Sequence, residues 1–259
     1  MRAKSRKLLQ HRRRHQRQLT LLAVPQKRIM QKRLVLFDID ETMITSDGAG
    51  RRAISRVLKD RYDIDPGTIK LSMSGKTDPQ ILAEIMREAG LDDKEIEIAV
   101  PNLIEEYLVH LEAEIRQTKH YIVHDGVPEI LAALASMEGA FLGLLTGNVE
   151  RGARMKLERF KLNHHFPLGA YGSDSASRLD LPHVAKQRAD EHFKTSFEPK
   201  EIVVIGDSIY DVLCAKHYGA VSLAVNSGRT TRAELEAQNP DHLFASLADT
   251  QSVIKAIFN

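Results

Sequence analysis

Three short segments of this chain hold the side chains best suited to chemistry. Asp38 and Asp40 stand two apart in Asp38-Ile39-Asp40-Glu41-Thr42, and Thr146-Gly147-Asn148 follows an apolar run. Asp207 and Asp211 stand four apart in Gly206-Asp207-Ser208-Ile209-Tyr210-Asp211. If Asp38, Asp40, Asp207 and Asp211 share one crevice they repel one another, and a hard divalent cation relieves this; an oxygen-rich site that keeps several waters suits magnesium. Zinc is not indicated, because no His/Cys cluster has its spacing and His164-His165 reads as a loop pair. A carboxylate beside such a cation points to phosphoryl transfer through an aspartyl phosphate, since the cation offsets repulsion between an anionic attacker and an anionic phosphate. In that scheme Asp38 attacks, while Asp40 first protonates the leaving oxygen and then deprotonates the water that opens the intermediate. Thr146 and the amides of Gly147 and Asn148 hold phosphate oxygens at a helix start. Asp207 binds the metal directly, and Asp211, one turn later, binds a metal water or orients its neighbours.

Such chemistry needs elements that bring distant segments together. Leu34-Val35-Leu36-Phe37, Phe141 to Leu145 and Ile202 to Ile205 are continuous apolar runs, the pattern of strands covered on both faces. Helical spacing runs from Val149 to Phe160, His183 to Phe193 and Ile209 to Tyr218, followed by a run from Val221 to Val225 and a helix from Thr231 to Gln238. Strand and helix in repetition predict an α/β fold, a Rossmann-like parallel sheet whose carboxyl edge carries the ligand. Asp38, Thr146 and Asp207 each follow one of the apolar runs, so they converge there. Taken singly, an Asp or Thr after a strand is often just a helix N-cap. Three such motifs in order argue for a site.

Residues 45–121 read differently. Arg51 to Tyr62, Pro79 to Glu88 and Lys94 to Ile115 are helical by spacing, with apolar faces at Ile81, Leu82, Ile85 and Met86 and at Ile96, Val100, Leu103, Ile104, Tyr107, Leu108 and Leu111. The expected organisation is a core of residues 30–44 and 122–259 interrupted by an all-helical cap at 45–121.

Composition sets limits on the rest. The 259 residues are 42% hydrophobic and 28% charged, enough to bury a core, and no apolar run is long enough for a transmembrane helix. A single cysteine, Cys214, makes a reducing cytoplasm the natural setting. Residues 1–29 hold ten Lys or Arg and no acid, leaving 27 basic against 35 acidic side chains in the remainder, a balance of −8. An acidic body argues against nucleic acid as its partner; the expected partner, a small phosphorylated substrate, follows from the phosphoryl-transfer reading of the acids. The leader reads as a disordered basic extension, with a targeting peptide and a polyanion-binding arm as the competing readings. Met30 stands just before the first strand, so an initiation site there would still deliver the whole domain.

The body resembles the haloacid dehalogenase-like hydrolase superfamily, and within it the phosphoglycolate-phosphatase-like branch with a helical cap. The resemblance rests on Leu34 to Thr42, Leu144 to Asn148 and Ile205 to Asp211, with Gly126 to Leu131 as the return from the cap and Gly219-Ala220 with Val225 further on. It implies a magnesium-dependent hydrolase with Asp38 as nucleophile and Asp40 as acid/base. Two departures stand out. Glu41 replaces a usual Gly, and no Lys-Pro occurs where the family places its phosphate-balancing lysine. Arg178 falls at about that point and is the expected substitute, with Lys186 as the alternative. The family frame also makes Gly75, Lys76 and Thr77 the cap's substrate loop, although Thr77 equally suits a helix cap. A P-loop reading of Ser74-Gly75-Lys76-Thr77 fails, because Lys70 stands where the pattern needs Gly. The same acids would serve a phosphomutase, and a non-catalytic binding protein on this fold is the reading from a different class.

Overall fold

The computed structural model describes residues 31–69 and 71–259. The leader at 1–29, and with it every reading of its role, lies outside the described residues. The three apolar runs are strands β1 (Arg33–Phe37), β4 (Ala140–Leu145) and β6 (Ile202–Gly206). With β5 (Gly169–Ala170), β7 (Val221–Val225) and β8 (His242–Phe244) they form a sheet in the order β5-β4-β1-β6-β7-β8, parallel throughout. Its centre is apolar on both faces because both faces are covered. Val35 and Phe37 enter one buried cluster and Leu34 and Leu36 the other, all fully buried. Each such side chain contributes about 1.5–3 kcal/mol of burial free energy.

Helices α1 (Ala49–Tyr62), α2 (Asp78–Glu88) and α3 (Asp93–Gln117) lie between two short strands, β2 (Ile44–Thr45) and β3 (Ile122–Val123), which pair antiparallel. This ribbon is the neck of the helical insert. Ile81, Leu82, Ile85 and Met86 on α2 and Leu103, Tyr107, Leu108 and Leu111 on α3 are buried, as the apolar spacing predicts. The remaining helices are α4 (Val127–Ala135), α5 (Glu150–Glu158), α6 (Leu181–Phe193), α7 (Ile209–Tyr218), α8 (Arg232–Ala237) and α9 (Thr250–Phe258). Strands β2, β3 and β5 escape a sequence reading because two residues carry no periodicity.

Register aligns the chemistry. Phe37 pairs with Leu144 on one side and Ile205 on the other, so Thr146 and Asp207 leave the sheet level with each other and one residue beyond Asp38. Asp38 N donates to Ile205 O at 2.9 Å and Thr146 N to Ala170 O at 3.0 Å, which fixes both residues at the edge. Glu41 adopts φ 61°, the left-handed conformation that explains a glycine preference at such a turn. Its strain is offset locally: Glu41 N donates to Ile44 O at 2.7 Å and its carboxylate accepts from Thr45 Oγ1 at 2.9 Å.

Candidate active site

Asp38, Asp207 and Asp211 converge, each offering a carboxylate oxygen within 4.8 Å of the other two, and all three are buried. Arg178 stands among them on a short 3-10 turn just ahead of α6, with Nη2 3.2 Å from Asp38 and paired also with Asp211. Three carboxylates against one guanidinium leave a formal charge of −2 in a buried place, which a divalent metal ion held by these acids would neutralise. Asp207 is free for this because Ser208, not Asp207, caps α7. The Ser208 hydroxyl accepts from Asp211 N, and Asp211 in return accepts from Ser208 N at 3.0 Å. Asp207 is steadied instead by Thr42 Oγ1 at 3.1 Å.

Asp40 takes a different set of partners. Its Oδ2 accepts from Lys156 Nζ at 2.6 Å and from Asn148 Nδ2 at 2.7 Å, so its carboxylate stands apart from the acidic trio. Asn148 also donates to Thr146 Oγ1 at 2.9 Å and accepts from Lys156 at 2.5 Å. Thr146, Gly147, Asn148, Arg178, Asp38, Asp40 and Asp207 all line one cavity of about 150 Å³. Lys186 does not line it. Five residues into α6, it has moved roughly 7.5 Å along the axis and pairs with Asp190 on its own helix.

The helical insert closes the other wall. Gly75 and Lys76 line the cavity, with Lys76 paired to Glu84. Thr77 is buried and caps α2, accepting from Gln80 N at 3.2 Å while donating to Ala176 O at 2.8 Å. Next to it, Asp78 N donates to Gly147 O at 2.8 Å and Asp78 Oδ2 accepts from Val149 N at 2.9 Å. Insert and core are thereby stitched together across the Thr146 loop.

A family model described as haloacid dehalogenase-like hydrolase matches residues 35–225, most of the chain and every element just described at the sheet edge. The chain belongs to this family. A 5'-nucleotidase of Pseudomonas aeruginosa is 29% identical over 225 residues, covering 86% of this chain and 95% of that protein. A phosphoglycolate phosphatase of Haemophilus influenzae is 21% identical over 230 residues, covering 86% and 99%. The fold is also that of a hydrolase from Pseudomonas syringae, at a TM-score of 0.65 and 21% identity over 88% of this chain and 100% of that one.

In this haloacid dehalogenase-like hydrolase the electrostatics differ between neighbouring acids. Burial pushes Asp38 up to about 6, against the pull of Arg178, with Asp211 and Asp40 adding to the rise. Burial, then Asp211 and Asp38, also raise Asp207 well above the usual carboxylate range. At Asp40 burial acts the same way, but the Lys156 charge and the hydrogen bonds from Lys156, Asn148 and Ser46 outweigh it and hold the carboxyl below its ordinary value. Lys156 and Asp78 are the residues the sequence reading missed. The signal for Lys156 was present: it lies on the face of α5 otherwise made of Gly152, Ala153 and Leu157, all buried, where a lone lysine needs a partner. Asp78 gave no such signal, since an acid in the first turn of a helix is ordinary. Among the described residues no helix is long and apolar enough to cross a membrane.

Proposed function

We propose that this phosphatase of the haloacid dehalogenase-like family hydrolyses a small phosphorylated metabolite through an aspartyl phosphate, with magnesium as its metal. The observation that carries the reading is the convergence of Asp38, Asp207 and Asp211 around Arg178, beside a cavity that Asp38, Asp207 and Arg178 line together with Thr146 and Asp40. Asp38 attacks phosphorus while the bond to the ester oxygen breaks, and that oxygen leaves with the proton of Asp40. Asp40 then accepts a proton from the attacking water as the Asp38–phosphorus bond opens. Asp38, Asp207 and Asp211 would hold the metal, which when bound supplies the charge that lets a carboxylate approach a phosphate. Thr146 with the amides of Gly147 and Asn148 holds phosphate oxygens. Arg178 is suited to the same task, since its Nε is buried and has no partner among the described residues.

The cavity is small, and none of the residues lining it is aromatic. Stacking is a common anchor for a base, so its absence favours a compact aliphatic phosphoester over a nucleotide. Phosphate release over a panel of phosphorylated metabolites, with and without magnesium, tests the reading. Activity should require magnesium and fall at least about 1,000-fold in Asp38→Asn with the fold intact by circular dichroism. Substantial turnover by that variant would refute Asp38 as nucleophile, and conversion of a sugar phosphate to its isomer without free phosphate would show a mutase instead.

A further inference from the structure

Lys156 is the most deeply buried ammonium at the site, with 4% of its side chain exposed, and its Nζ touches Asp40 Oδ2 at 2.6 Å and Asn148 Oδ1 at 2.5 Å. Asn148 Nδ2 reaches the same Asp40 oxygen at 2.7 Å. The other oxygen, Oδ1, has only Ser46 Oγ at 3.4 Å. The carboxyl of Asp40 is therefore held asymmetrically, one oxygen gripped by two donors and the other loosely attended. An ammonium and an amide nitrogen are donors only, so the gripped oxygen acts as an acceptor and has no room for a proton.

We propose that Lys156 is a positioning residue for hydrolysis: with Asn148 it pins Oδ2 of Asp40, so that Oδ1 is the oxygen that passes a proton to the leaving group and later takes one from water. This rests on the reading of Asp40 as acid/base given above. The proton leaves Oδ1 as the phosphorus–ester oxygen bond breaks with its electron pair on that oxygen, and Oδ1 recovers a proton from water in the second half. The helical insert completes the arrangement. A Cβ on Gly50 of α1 would lie 3.4 Å from Lys156 Nζ and 3.6 Å from the hydroxyl of Tyr107 on α3, so the insert wraps the cation and keeps it dry. Lys156 thus ties the geometry of the acid to the seating of the insert.

The test uses two aryl phosphates that differ in how much their leaving oxygen needs a proton, phenyl phosphate and 4-nitrophenyl phosphate. kcat/KM covers the steps up to departure of the phenol, so it reads proton donation by Asp40. In Lys156→Met, kcat/KM on phenyl phosphate should fall about 100-fold and on 4-nitrophenyl phosphate less than about 10-fold, with Lys156→Arg recovering part of the difference. The ratio of the two substrates does not depend on how much of the variant is folded, so a simple loss of stability leaves it unchanged. An equal loss on both substrates overturns the proposal. Asp40→Asn separates the two levels of the argument. If it too fails to discriminate between the substrates, the acid/base reading of Asp40 falls; if it discriminates and Lys156→Met does not, only the role of Lys156 falls.

Discussion

Asp78 shows how one buried carboxyl can report on the contact between insert and core. Burial raises it to about 6 against the pull of the Lys156 charge and of the hydrogen bond from Val149 N. Between the ordinary carboxylate value and about 6 the folded chain holds a proton that the unfolded chain has released. Asp78 therefore supports the fold at low pH, and that support is lost as pH rises through about 6. Asp78→Asn keeps an oxygen for Val149 N and cannot ionise, so relative to the wild type it should gain stability between pH 4.5 and pH 7.5, by at most roughly 3 kcal/mol. Urea unfolding at the two pH values measures this, and a difference that does not change with pH would show that Asp78 ionises freely in the folded state. Of the residues legible without coordinates, Asp38, Thr146 and Asp207 follow apolar runs and are marked by position as well as type. Lys156 sits in mid-helix and Asp78 at an ordinary helix start, so each looked like a common surface charge until its partners, 116 and 71 positions away, were placed.

Among the elements, the loop after β4 has little freedom. A Cβ at Gly147 would stand 2.1 Å from Lys76 O, and one at Gly172 would stand 2.2 Å from Gly147 O, so three backbone segments meet with no space for a side chain. The glycine in Thr146-Gly147-Asn148 thus does more than free an amide for phosphate, because it lets the first turn of α2 dock on the loop. Gly147→Ala should push that turn away, lowering stability by about 1–3 kcal/mol and weakening substrate binding, since the cavity wall at Gly75 and Lys76 moves with it. Thermal melts together with KM for the best substrate test this; an unchanged KM would mean that the insert does not shape the cavity. The helices other than α4 and α9 were readable from their spacing, and the faces of α2 and α3 are buried as that spacing requires. The docking of α2 on the loop was not, because it depends on backbone groups that every residue carries.

For the whole molecule, the decisive quantity is the charge left at the sheet edge. Lys156 balances Asp40, and Arg178 balances only one of Asp38, Asp207 and Asp211, which leaves a formal −2 among buried groups. Binding of a divalent cation should therefore stabilise the folded chain as well as activate it. A magnesium titration followed by thermal melting should raise the melting temperature, equivalent to about 2.7 kcal/mol at 100 times the dissociation constant, and Asp207→Asn should lose most of that gain. A melting temperature indifferent to magnesium in the wild type would count against the trio as a metal site. The sequence by itself determined the parallel α/β core, the helical insert and the three strand ends that carry Asp38, Thr146 and Asp207, because strand ends and apolar periodicity are local properties of the chain. It also narrowed the balancing cation to two candidates. Sequence already ranked Arg178 ahead of Lys186; only the tertiary structure set Arg178 against Asp38 and Asp211, gave the cap of α7 to Ser208 and brought Lys156 to Asp40. The physical reason is that pairing of buried charges is set by which side chains share a space too dry to leave them apart, and that space exists only once insert and core have packed.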